Sequence, residues 1–199
     1  MRTAMLGCVL TISLLLTGCG RTEKGNSPMD LALAIRQDYL AADGCDAVLE
    51  VTADHGQRVH TFGVEVTVCG KETNLTVIEP EEVAGIRARL DGDQAGLGFD
   101  DVILDTGLLD DSGLTVLGAL PTLLEAARSG WIDSCVREEL DGADTLHVIC
   151  RDPAVERGTG REQHLWFDTD SHALLRGEVL VDGRRVIFCC VTQFTLYGG

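Results

Sequence analysis

The chain has 199 residues, with 32 acidic against 16 basic side chains and a formal net charge of −16. So large an excess of carboxylate argues against a nucleic-acid partner, whose phosphates demand clustered Lys and Arg. With no polybasic patch, it also argues against charge-driven adsorption to anionic lipid. The length suits one domain with a sizeable core.

The first element is Arg2 followed by an apolar run from Ala4 to Leu16. The run is shorter than the roughly 20 apolar residues a spanning helix needs. A charged start, an apolar middle and small residues before a break are the parts of a secretory signal. The break is Leu16-Thr17-Gly18-Cys19, which resembles the lipobox of bacterial lipoprotein signals. That resemblance implies cleavage after Gly18, a diacylglyceryl group on the sulfur of Cys19 and, in many bacteria, acylation of the new amino terminus. Residues 1–18 are then a signal peptide, 19–28 a lipidated terminus and tether, and 29–199 a domain. Loss of Arg2 leaves 15 basic against 32 acidic side chains. Attachment to the membrane then falls to the lipid on Cys19, and two or three acyl chains hold stably where one does not. Gly20 stands where Gram-negative lipoproteins retained in the inner membrane carry Asp. The expected location is the extracytoplasmic side of the cell membrane, or the outer membrane in an organism that has one.

Ser27-Pro28-Met29-Asp30 reads as a helix start, with Ser27 capping, Pro28 in the first turn and Asp30 complementing the dipole. Leu31, Ile35 and Tyr39 continue it as one apolar stripe, and Asp43-Gly44 ends it. Strict alternation follows, with Cys45, Ala47, Leu49, Val51 and Ala53 on one face. A tight turn at His55-Gly56 leads to Phe62, Val64, Val66 and Val68. A two-residue loop there sets Leu49 opposite Phe62 and merges the two apolar faces. After Gly70-Lys71, Leu75 and Val77 join the same face, completing a three-stranded meander. In this register Cys45 points to the apolar side and Cys69 away, so their Cβ vectors diverge and a bridge is disfavoured.

Pro80 marks a turn or short helical start. Two strands are expected over Ile86–Leu90 and Gly96–Leu104 around Asp91-Gly92, and then a loop ending near Gly113. Leu117, Leu120, Leu124 and Ala127 keep helical spacing, but Pro121 predicts a break with the main helix starting there. The remainder reads as strands over Trp131–Leu140, Thr145–Arg151, Glu162–Asp168, Ala173–Val181 and Arg184–Leu196. The Asp182-Gly183 turn sets Val179 opposite Val186, Gly177 opposite Phe188 and Leu175 opposite Cys190. Cys190 is then inward and Cys189 outward. A four-residue loop over Asp141–Asp144 places Cys135 opposite Cys150, where a disulfide can close. A three-residue loop instead aligns Ile132, Val136 and Leu140 with Leu146 and Val148 and separates the two thiols.

No motif carries catalysis. There is no phosphate-binding glycine loop, no G-x-S-x-G elbow and no C-x-x-C. The five histidines (His55, His60, His147, His164, His172) have no paired metal spacing and read as solvated surface. The cluster Asp100, Asp101, Asp105, Asp110 and Asp111 lacks the calcium-loop register and reads as a solvated face. No catalytic residue, metal or cofactor is expected. The continuous apolar face allows two architectures: helices completing a packed core, or a strongly curved sheet enclosing a hollow under a helical lid.

The layout of amino-terminal helix, meander, helical middle and late strands carries Leu165-Trp166-Phe167-Asp168, Leu174-Leu175-Arg176-Gly177-Glu178, Val181-Asp182-Gly183 and Thr192-Gln193-Phe194. It resembles the LolA/LolB-like lipoprotein-carrier superfamily. The resemblance implies an α+β, mostly antiparallel, strongly curved open half-barrel with a helical lid, and a hydrophobic cavity for lipid or acyl chains. The expected lining is Leu49, Val51, Phe62, Val64, Val66, Leu75, Val77, Leu175, Val179, Val186, Phe188 and Phe194. The function that follows is non-enzymatic holding or transfer of lipid beside the anchoring membrane. The competing expectation is an extracytoplasmic interaction or sensor domain with a packed core and a protein partner, and a thiol oxidoreductase comes third.

Overall fold

The computed structural model describes residues 27–198 apart from 55, 57, 92–93, 100–101 and 109–114. The lipobox with Gly18 and Cys19, and Asp100, Asp101, Asp110 and Asp111, lie outside the described residues. Helix α1 (Pro28–Ala41) starts as its sequence dictates. Ser27 Oγ accepts from the Asp30 N–H at 3.1 Å and Asp30 Oδ2 accepts from the Ser27 N–H at 3.0 Å, a reciprocal capping box with Pro28 in the first turn. Leu31, Ile35 and Tyr39 form its buried stripe.

Eleven strands follow in a single antiparallel sheet: β1 (Gly44–Asp54), β2 (Val59–Cys69), β3 (Glu72–Glu79), β4 (Arg87–Asp91), β5 (Gln94–Phe99), β6 (Val102–Leu108), β7 (Ile132–Leu140), β8 (Ala143–Arg151), β9 (Arg161–Asp168), β10 (Leu174–Val181) and β11 (Arg184–Tyr197). Helix α2 (Val116–Ser129) lies between β6 and β7 in the chain. The spatial order is β6-β5-β4-β3-β2-β1-β11-β10-β9-β8-β7, so the sheet ends on β6 and β7 and does not close. It is a strongly curved half-barrel with the two helices as a lid. Register shifts interrupt the ladders at Val48/Leu49, Gly63/Val64, Leu174/Arg176 and Val179/Leu180, and each such bulge bends and twists its strand.

Several expectations are corrected. The first hairpin closes at Asp54↔Val59, so Leu49 faces Val64 and Val51 faces Phe62. The shift from the expected register is two residues, which preserves the face of every side chain. Gly96–Leu104 is not one strand. Phe99 pairs with Val102, so the stretch is divided between β5 and β6, which pair antiparallel. Pro121 does not break α2, which runs from its Thr115 cap to Ser129 with the proline inside. One missing backbone bond near the helix start, a cost of about 3 kcal/mol, is outweighed by burial of Leu120, Leu123, Leu124 and Ala127.

The β7–β8 hairpin uses neither expected loop. Asp141 (φ 53°) and Gly142 (φ 87°) form a two-residue turn closing at Leu140↔Ala143, with both φ positive as a type I′ turn requires. Cys135 therefore sits opposite Val148 and Cys150 opposite Ile132. The Cys135–Cys150 bridge is not made, and both are free thiols.

The last hairpin starts in the expected register at Val181↔Arg184, then slips by one, so that Val179 faces Ile187 and Gly177 faces Cys189. This inverts the cysteine pair: Cys189 is buried and Cys190 is not. It also turns Phe188 to the convex side, where the Arg185 and Arg176 guanidinium groups lie 4.7 and 5.6 Å from its ring centroid. On β10, Leu174 rather than Leu175 fills the core, because Leu175 is the extra residue of the bulge between Leu174 and Arg176.

Candidate functional site: the concave face

The inner face of the sheet divides into two parts with different side chains and different cover. Across β8–β11 it carries Leu146, Leu165, Phe167, Leu174 and Ile187, all buried. Helix α2 packs mainly on β1, β9, β10 and β11, and α1 on α2, β7 and β8. The fit is tight. A Cβ placed on Gly177 would run into Leu123 Cδ1, with Cδ2 and Cγ of the same side chain 2.9 and 3.0 Å away. Glycine at this position is what lets α2 reach the strand. Val179, expected as cavity lining, is sealed in this core. Phe194 stacks on Tyr39 of α1 at 5.8 Å, and Phe167 meets Tyr39 edge-on at 5.4 Å. The Tyr39 hydroxyl donates to the His172 carbonyl at 3.1 Å, and burial pushes its pKa well up.

The helix pair is fixed by mutual arginines. Arg36 on α1 donates to the Ala127 carbonyl (3.1 Å) and the Gly130 carbonyl (2.6 Å) at the end of α2. Arg128 on α2 donates to the Tyr39 carbonyl at 3.0 Å in the last turn of α1. Each guanidinium meets the unsatisfied carbonyls and negative dipole end of the other helix. Helix α1 has no basic residue in its own last turn.

Across β2–β5 the inner face is built differently. Its buried side chains are Val64, Val66, Val68, Thr73, Leu75, Val77, Ala88 and Leu90, mostly small, with Phe62 and Leu97 only partly buried beside them. Among the described elements, β3 also meets the single 3-10 turn Glu81–Val83, and neither helix has a principal contact on β2–β5. Register lines these residues into rows across the strands. Ala47 faces Val66, Val66 faces Leu75, Leu75 faces Ala88 and Ala88 faces Leu97. With neighbouring strands about 4.8 Å apart, this row is about 19 Å long, the scale of an extended acyl chain. Of the expected lining, Phe62, Val64, Val66, Leu75 and Val77 fall on this half. Leu49 and Val51 lie on β1 at its boundary, and Val186 is buried on β11 outside it.

The cysteines on the inner face are packing groups. Burial pushes the Cys45 and Cys150 thiols up to about 11 and Cys189 to about 12, which suppresses the nucleophilic thiolate. All six described cysteines are free. No group of three or more His, Cys, Asp or Glu among the described residues is placed to hold a metal ion, and no described helix is long and apolar enough to cross a membrane.

The convex side holds a cluster that sequence reasoning missed. His147 and His164 are largely buried rather than solvated. His147 stacks on Trp166 (4.0 Å) and approaches His164, with Nε2 3.1 Å from its Nδ1. Glu138 accepts from Trp166 Nε1, and Arg176 covers the indole at 5.9 Å. Burial lowers the His147 pKa, with His164 lowering it further and Glu138 and Glu178 raising it. The available signal was the β8–β9 pairing of His147 with Trp166, which needs the loop lengths before it can be read.

No family model matches the chain, and no curated protein matches it in sequence. Among solved structures it is similar to the lipoprotein LppX of Mycobacterium tuberculosis, at 18% identity and TM-score 0.47 over 84% of this chain and 96% of that one. It is similar to a LolA-superfamily protein of Nitrosomonas europaea, at 13% identity and TM-score 0.40 over 84% of this chain and 94% of that one. A domain described as a putative outer membrane lipoprotein-sorting protein from Vibrio parahaemolyticus matches at 12% identity and TM-score 0.45, over 84% of this chain and 92% of that one.

Proposed function

We propose that the protein is an extracytoplasmic lipoprotein, tethered through Cys19, whose half-barrel binds an acyl chain along the inner face of β2–β5 without chemical turnover. The observation that carries this reading is the row Ala47, Val66, Leu75, Ala88 and Leu97. It is continuous and apolar, starting at Ala47 on β1 and crossing β2–β5, the strands on which neither helix has a principal contact. Each methylene of a chain laid there contributes roughly 0.8 kcal/mol on leaving water. Among the described residues, no polar constellation on that face offers selectivity for a headgroup. The anchor supports local holding or presentation of lipid rather than free shuttling, because an acylated Cys19 stays in its bilayer. The test is native mass spectrometry of protein exported under a signal lacking the Cys19 acceptor. Co-purified lipid is expected, and it should be lost in Ala88→Phe while the fold persists. Reproducibly empty wild-type protein contradicts the reading.

A further inference from the structure

Helix α1 carries two apolar stripes, and only one faces the core. Leu31, Ala32, Ile35 and Tyr39 are buried, whereas Met29, Leu33 and Leu40 are 41, 46 and 61% exposed. At 100° per residue the exposed three fall within about 40° of one another, on a face turned well away from the buried stripe. Arg36 lies along the same side and holds the Gly130 carbonyl at 2.6 Å. Trp131, itself 61% exposed, follows Gly130 directly, so its backbone lies next to the point where Arg36 joins α1 to the end of α2. An exposed large apolar group is ordinary singly, but three in register on one helix with an adjacent tryptophan form a patch.

We propose that this face of α1, with Trp131, docks on the bilayer that holds the Cys19 anchor. The inference rests on the lipoprotein reading above. The chain between Cys19 and α1 argues for the occupant: Gly20–Ser27 is eight residues, spanning at most about 28 Å and about 16 Å as a flexible coil. The amino-terminal end of α1 thus stays within about 28 Å of the membrane surface, and its first exposed apolar residue is Met29, two positions past Ser27. The one charge along the stripe, Arg36, has its guanidinium engaged by the Ala127 and Gly130 carbonyls, which leaves Met29, Leu33 and Leu40 for the headgroup region. Trp is a side chain that prefers that interface, with its ring among the chains and its N–H among the headgroups. A helix lying flat there gains from its apolar face where its acidic domain gains nothing from lipid charge. Docking in this pose fixes the orientation of the half-barrel that the tether alone leaves free.

The test uses the full acylated protein in vesicles of phosphatidylethanolamine and phosphatidylglycerol at three to one, doped with brominated phosphatidylcholine. Trp131→Phe separates the Trp131 emission from that of buried Trp166. The Trp131 component is expected to shift to the blue and to be quenched at least twofold by the brominated lipid. Leu33→Glu with Leu40→Glu, both exposed and outside the core, should abolish the quenching while the protein still floats with the vesicles. Flotation with an unquenched, acrylamide-accessible Trp131 overturns the docking proposal and leaves the anchor standing. Protein that fails to float overturns both. Protection of Trp131 that depends on protein concentration in lipid-free solution assigns the face to a second copy instead, which also overturns it.

Discussion

The two halves of the one sheet solve the same problem in different ways. On β8–β11 an apolar face is covered by helices whose large side chains interlock with it, down to a glycine opposite Leu123. On β2–β5 an equally apolar face is assembled from four valines, two leucines, an alanine and a threonine, and the lid bears principally elsewhere. Alternation alone makes both faces apolar. Both faces are buried, and what distinguishes them is the volume of their side chains and the reach of the helices.

Mutations should expose that difference. The largest effect is expected from Leu123→Ala, which empties a fully buried site in the helix-packed half and should cost about 2–5 kcal/mol in urea unfolding. A cost below about 1 kcal/mol would mean the helix is loosely seated. Gly177→Ala at the same contact overpacks it and should cost about 1–3 kcal/mol. Arg36→Ala, which frees the end of α2 from α1, should cost about 1 kcal/mol. Combined with Arg128→Ala it should give less than additive loss, since both act on one helix–helix joint. On the other half, Ala88 is buried but neither helix bears principally on its strand, so Ala88→Phe, though it adds more volume than Gly177→Ala, should cost under about 1 kcal/mol. A larger cost there would make the two halves alike.

The smallest effect concerns the convex cluster. His147 has its pKa lowered in the folded protein, first by burial, so the unfolded chain binds its proton more readily. The stability it contributes is complete above the unfolded value of about 6.5 and falls as pH drops from there toward the lower native value. His147→Asn should flatten the stability–pH curve in that window and leave the values above it parallel. An unchanged slope would show that His147 is solvated after all.

Much of the fold was legible because alternation reports faces directly, and a face survives a register error of two residues. The Leu49–Phe62 pairing was wrong, yet the inward set on β1 and β2 was right. The errors came where parity changes. The slip at Val179/Leu180 exchanged Cys189 for Cys190 and sent Phe188 to the outside, and the bulge at Leu175 substituted Leu174 in the core. A bulge depends on how a long strand must bend over its neighbours, which local sequence does not encode. The start of α1 was written in Ser27-Pro28-Met29-Asp30, whereas the continuity of α2 through Pro121 depended on a sheet waiting beneath it. The candidate site was half legible: its residue types came from the pattern, but its restriction to β2–β5 came from where the helices pack.

The proposed seat of the acyl chain is the inner face of β2–β5 and not the space beneath α2. Irradiating the protein with a fatty acid carrying a diazirine near its methyl end, then mapping the adducts by peptide mass spectrometry, tests it directly. Adducts are expected on Phe62, Leu75, Ala88, Leu97 and their neighbours. An absence of adducts, or adducts concentrated on α2, β9 and β10, would contradict the account.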